Sequence, residues 1–97
     1  MTGLAIFARF HAHEGKQAAV EAAIRDVVPP TRAEPGCVFI AGHCSTSDPR
    51  LFFIHSRWID EAAFNSHAGL PHTKHFVATV FALIDHPFEA ARATAII

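Results

Sequence analysis

Trp58, His67 and His72 stand close together in this chain, and their side chains suit one kind of chemistry. An imidazole titrates near neutral pH, so it can take a proton from a weakly acidic hydroxyl under ordinary conditions. An indole supplies a flat apolar wall and one N–H donor for an oxyanion. Together they would bind an aromatic hydroxyl compound and help to form its anion. His72 and His75 lie three apart, a helical spacing that puts two metal ligands on one face, and His67 could approach as a third. No cysteine or carboxylate stands at a metal-ligand spacing beside them, so no metal site is expected. No Ser-His-Asp order, phosphate loop or glycine-rich cofactor fingerprint is present. His11 and His13 alternate near a strand end and are expected to be solvated.

The elements that must carry these side chains follow from periodicity. Leu4 to Phe10 is a short apolar run without helix caps, read as a first strand with Leu4, Ile6, Ala8 and Phe10 on one face. Gly15 closes a turn, after which Val20, Ala23, Ile24, Val27 and Val28 recur at helical spacing from Lys16 onward. Pro29-Pro30 is expected to kink or end that helix near Val28, with a further turn through Thr31 to Glu34 left open. Cys37–Cys44 and Leu51–Trp58 are strand-like runs joined by the turn-forming stretch Ser45-Thr46-Ser47-Asp48-Pro49-Arg50, hence a hairpin. Asp60 caps a short helix from Glu61 to His67 that Gly69 ends. Pro71 opens a second helix to about Ile84, striped by Phe76, Val77, Val80, Phe81 and Ile84. Phe88 to Ile97 supplies the last strand.

The order β-α-β-β-α-β is the ferredoxin-like α+β arrangement, a four-stranded antiparallel sheet with helices on one face. Along the hairpin's second strand Phe52, Ile54, Ser56 and Trp58 share a side, while His55 and Arg57 point the other way. A solvated sheet face should alternate with polar residues, yet Ala5 and Phe7 oppose Leu4 and Ile6, and Leu51 and Phe53 oppose Phe52 and Ile54. Both faces call for burial, which two sheets packed face to face in a homodimer would provide.

Composition narrows the classes. Ninety-seven residues are expected to make one domain spanning 1–97. The chain is 51% hydrophobic, 18% charged and carries a formal net charge of −1, which fits a globular protein and offers no electrostatic footprint for nucleic acid. No apolar run reaches the roughly 20 residues of a membrane span, and no signal peptide is read, so a cytoplasmic protein is expected. Cys37 and Cys44, seven strand steps apart, would be separated by roughly 23 Å, beyond disulfide reach. They are expected to be reduced, small core residues.

Residues 32 to 76 resemble the antibiotic biosynthesis monooxygenase family. The resemblance is carried by Glu34-Pro35-Gly36-Cys37, by Arg57-Trp58, by Asp60-Glu61-Ala62-Ala63-Phe64, by His67, and by Pro71-His72 with Lys74 and Phe76; Glu14-Gly15 stands where the family usually has Pro-Gly. It implies a dimeric α/β barrel and oxygenation of quinol-, phenol- or anthrone-type substrates by O2 with no metal, flavin or other cofactor. It places the pocket between the helices and the face bearing Phe52, Ile54, Ser56 and Trp58. On that basis His67 and His72 are the candidate catalytic residues, as base or phenolate partner. Trp58, Ser56, Ile54, Phe52, Phe64 and Phe76 are the candidate substrate-binding residues. The family commonly carries a glutamate two residues before the tryptophan, where this chain has Ser56. Haem-degrading relatives need an aromatic wedge and a histidine ligand, and the corresponding places hold His67 and Val77, so a haem role is not expected. Two other functions fit the same scaffold: a non-catalytic dimer that binds a small metabolite, and a non-oxidative lyase or cyclase.

Overall fold

A computed structural model describes residues 3–97 of the chain. Its elements are β1 (Leu4–His11), α1 (Gln17–Arg32), β2 (Cys37–Cys44), β3 (Leu51–Trp58), α2 (Glu61–Ala68), α3 (Pro71–Phe81) and β4 (Glu89–Ala93). The strands form one antiparallel sheet in the order β2-β3-β1-β4, the ferredoxin-like topology expected. β1 runs against β3 from Leu4 opposite Trp58 to His11 opposite Leu51, which sets Trp58 and His11 at opposite ends of the sheet.

The core lies between the helices and one sheet face. Ile6, Ala8 and Phe10 from β1, Ile40 from β2, and Phe52, Ile54, Ser56 and Trp58 from β3 are buried there. Ala8, Phe10, Ile40, Phe52 and Ile54 meet Val20, Ala23, Ile24, Val27 and Val28 of α1 and Phe76 and Val80 of α3, while Trp58 packs on Phe64 and His67 of α2. Burying a side chain of this size is worth about 1.5–3 kcal/mol relative to exposing it. Phe10 anchors the sheet side, its ring 5.6 Å from Phe76 at 87° and 5.0 Å from Phe88. The opposite sheet face carries apolar side chains too, beside Arg9 and Arg57. Phe7 is 51% exposed and stacks on His55 at 4.7 Å, with Phe39 at 5.3 Å from the same ring.

Several boundaries differ from expectation. Helix α1 runs through Pro29 and Pro30 to Arg32 instead of ending near Val28. The missing prolyl N–H groups would have served Arg25 and Asp26, both exposed residues, so their carbonyls are left on the wet side. On the buried side Thr31, fully enclosed, donates its hydroxyl to the Val27 carbonyl at 2.7 Å. Helix α3 stops at Phe81, short of Ile84, because the chain must turn back to β1. His13 N–H donates to Leu83, Asp85 N–H to His11, and Ile84 bridges Ala12. Its buried stripe is Thr73, Phe76 and Val80, and the expected stripe members Val77 and Phe81 are exposed. Strand β4 spans only Glu89–Ala93: Ala93 pairs with Ala5 near the start of β1, and beyond it the sheet offers little backbone to pair with. Cys37 and Cys44 are both free thiols, but Cys44 is exposed and not part of the core.

Candidate functional site

Glu34, His67 and His72 come together at the end of the sheet that carries Trp58. Each is placed by a local stop signal. The C-terminus of α1 tightens through Ala33 N–H to Pro30 and Glu34 N–H to Thr31, and Cys37 N–H then bonds back to Glu34, so the glutamate sits in a closed turn. Gly36 follows, where a Cβ would fall 2.3 Å from the Ala63 Cβ; only glycine lets α2 lie this close to the start of β2. Asp60 caps α2 by accepting the Ala63 N–H at 2.8 Å. Gly69 and Leu70 N–H groups close the end of α2 on Ser66 and His67, and Pro71 starts α3 at once. His67 therefore lies in the last turn of one helix and His72 in the first turn of the next.

One carboxylate oxygen serves both rings. His67 Nδ1 lies 2.8 Å and His72 Nε2 2.7 Å from Glu34 Oε2, and Thr73 Oγ1 lies 3.2 Å from His67 Nδ1. The glutamate side chain is 9% exposed, His67 12% and His72 27%, so the trio is sheltered but opens to solvent through His72. Aromatic rings wall it: Trp58 lies 4.7 Å and Phe64 5.7 Å from the His67 ring, and Trp58 lies 5.7 Å from Phe64. The Arg92 guanidinium covers Phe64 at 5.0 Å and is held by Glu61 at 2.7 Å. Two imidazoles and a carboxylate within 4.8 Å of one another are also a donor set able to hold a metal ion.

The expected site residues fall into two groups. Trp58, Phe64, His67 and His72 meet at this end, and Ser56 joins them by accepting the indole N–H at 3.0 Å. That bond engages the donor expected to serve an oxyanion, on a tryptophan that is itself only 1% exposed. Ile54, Phe52 and Phe76 instead lie in the continuous core with Phe10. His75 is exposed and stands apart from the trio, so the i, i+3 spacing from His72 does not make a ligand pair. Glu34, the partner of both histidines, is not among the residues expected at the site. It lies 33 residues from His67, and no helical or strand period links the two.

A second histidine cluster occupies the far end. His11 Nδ1 bonds Asp85 at 2.6 Å and its Nε2 bonds Asp48 at 3.0 Å, while His86 bonds the other Asp85 oxygen at 2.6 Å. His11 is thus a tied residue rather than a solvated one; His13 is exposed, as expected. The hydrogen bond to Asp85 raises the His11 pKa above its usual value. The same bond lowers Asp85, and the Arg50 backbone N–H lowers Asp48. The Cys37 thiol is pushed up by burial, which keeps it protonated and unsuited to nucleophilic work.

The ferredoxin-like α+β fold sets the class. The family model for antibiotic biosynthesis monooxygenase matches residues 4–79, and the chain belongs to that family. Among solved structures it is similar to Rv0793 from Mycobacterium tuberculosis (25% identity, TM-score 0.93, covering 98% of this chain and 96% of that one). It is also similar to PA3566 from Pseudomonas aeruginosa (29%, TM-score 0.93, 100% and 97%) and to SO0527 from Shewanella oneidensis (26%, TM-score 0.91, 97% and 91%). None of the curated proteins matches it. No helix among the described residues is long and apolar enough to cross a membrane.

Proposed function

We propose that the protein oxidises a small aromatic compound of the quinol, phenol or anthrone type with O2, using no cofactor. The observation that carries this reading is the Glu34–His67–His72 cluster, half-sheltered and walled by the Trp58 and Phe64 rings. His72, the most exposed of the three, meets the incoming hydroxyl. Either histidine takes its proton or pairs with the phenolate, and Glu34 between them supports the resulting imidazolium. Removing that proton makes the ring electron-rich enough to reduce O2 itself. For an anthrone-type ring the balance is CH2 + O2 → C=O + H2O: the substrate supplies all four electrons, one oxygen atom stays on carbon, and the other leaves as water with the two hydrogens. The aromatic walls keep solvent from the anion and its peroxide.

A homodimer through the open sheet face completes the reading. Phe7, Val38 and Phe39 are 51%, 53% and 41% exposed on strands, which is costly for a lone chain in water. Light scattering should give twice the chain mass for the wild type, and Phe7→Glu should shift it toward monomer.

The reaction is tested by incubating metal-free protein with a panel of hydroquinones and anthrones, with and without air. Oxygen-dependent product that is lost in His67→Ala and His72→Ala supports the reading; no product from any member contradicts it. The indole N–H already bound to Ser56 favours a second reading, a dimer that binds the aromatic without turning it over. Those two variants would then lose affinity in a chain that shows no turnover.

A further inference from the structure

We propose that Glu34, His67 and His72 form a binding site for a divalent transition cation of the zinc class. We infer also that occupancy of this site blocks the proton transfer assigned to the two histidines above; this second half rests on that assignment, whereas the binding itself does not. The donors are Glu34 Oε2, His67 Nδ1 and His72 Nε2, all within 4.8 Å of one another. Three protein ligands with a position left over is the composition of open zinc sites, in which a water or a ligand takes the fourth place. Two imidazoles with one carboxylate also suit iron(II), cobalt(II) and nickel(II), so the class of cation is set by donor type and not by charge alone.

The donors must shift before they surround an ion. Zinc bonds of about 2.0–2.1 Å arranged tetrahedrally hold their ligand atoms roughly 3.3 Å apart. The present separations of 2.8 and 2.7 Å are hydrogen-bond distances, so Glu34 Oε2 must withdraw by roughly half an ångström from each ring, and the two ring nitrogens, which lie within 4.8 Å of one another, must settle at that same spacing. Proton bookkeeping also closes. Each neutral ring now presents an N–H to Glu34; on binding, that proton moves to the other ring nitrogen through solvent, and the freed lone pair takes the metal. A neutral pair therefore releases no net proton, and each imidazole that was cationic releases one. The anchors are spread over three segments, the turn after α1, the end of α2 and the start of α3, so the ion would clip them together.

The His11–Asp48–Asp85–His86 group differs in a way that matters here. In that group each ring nitrogen engages a different carboxylate oxygen and no common point is surrounded, so it serves as an internal control.

Untagged protein stripped with chelator is titrated with Zn2+ in competition with a chromophoric chelator, and separately with Co2+ followed by its visible spectrum. One ion per chain is expected, with a tetrahedral cobalt spectrum lacking thiolate charge transfer. Glu34→Gln and His67→Ala should weaken binding at least tenfold, and His11→Asn should leave it unchanged. Circular dichroism of each variant confirms that a loss of binding is not a loss of fold, and His72→Ala repeats the test should Glu34→Gln unfold. Absence of stoichiometric binding, thiolate bands, or binding that survives both Glu34→Gln and His67→Ala would overturn the site. With the preferred aromatic substrate, Zn2+ should suppress oxygen uptake in proportion to occupancy. Turnover without metal binding would sink this inference alone, and metal binding without turnover would sink the function proposed above and the inhibition that rests on it, leaving the binding site.

Discussion

The two ends of the sheet hold the same ingredients in different arrangements. At the Trp58 end one carboxylate oxygen is shared by two histidines; at the other end one histidine, His11, is shared by two carboxylates. The first cluster is backed by indole and phenyl rings, with its glutamate 9% exposed. The second lies at the surface, where Asp48 and Asp85 side chains are 41% and 30% exposed. Water screens charges at the second end and leaves it a clamp joining β1, the β2–β3 turn and the segment after α3. The first end combines proton-carrying groups with an apolar wall, which is what a reactive site requires. On the proposed function the same residue types do different work, according to what packs behind them.

Removing the wall should separate the two ends most. Trp58→Ala empties a fully buried position and should cost about 3–5 kcal/mol, read from urea unfolding. Substitution of His86, which is exposed, should move the same curve far less. Next is Glu34→Gln, which keeps the shape but removes the charge shared by both rings. Oxygen uptake should fall about 10²-fold, the size of effect expected for a disabled proton transfer; an unchanged rate would make Glu34 a structural latch. Gly36→Ala forces α2 away from β2 and should destabilise by about 1–3 kcal/mol, lowering turnover with it because α2 carries His67.

The smallest effect belongs to the clamp and depends on pH. His11 has a folded pKa above its ordinary 6.5, so its contribution is complete below 6.5 and is lost as pH rises through the raised value. Asp85 and Asp48 are held below their ordinary 3.8, so theirs is complete above 3.8 and is lost as pH falls through the lowered values. The Tm difference between wild type and His11→Asn should therefore be largest between those two values and shrink on either side. A difference that does not vary with pH would show that the clamp works by packing alone.

Much of the frame was legible before any coordinates. Alternation assigned β1 and β3 their faces, and caps such as Asp60 and Pro71 located α2 and α3, because these signals act over a few residues. Longer-range facts stayed hidden. The double proline reads as a stop, yet α1 continues because the lost bonds fall on exposed residues and Thr31 supplies a buried one. Val77 and Phe81 fit a helical stripe but lie outside it, since α3 meets its neighbours over a narrower face than its apolar residues offer. Of the site, the histidines and Trp58 were legible by residue type. Glu34 and the Ser56–Trp58 bond were not, the first because it approaches across the fold and the second because a serine signals many roles.

Imidazole 1H–15N spectra, recorded while an anaerobic, metal-free sample is titrated with a hydroquinone, test the central claim most directly. The account predicts that the His67 and His72 resonances move together with saturation while those of His11 and His86 stay in place. Shifts confined to His11 and His86, or no histidine response at saturating ligand, would contradict it.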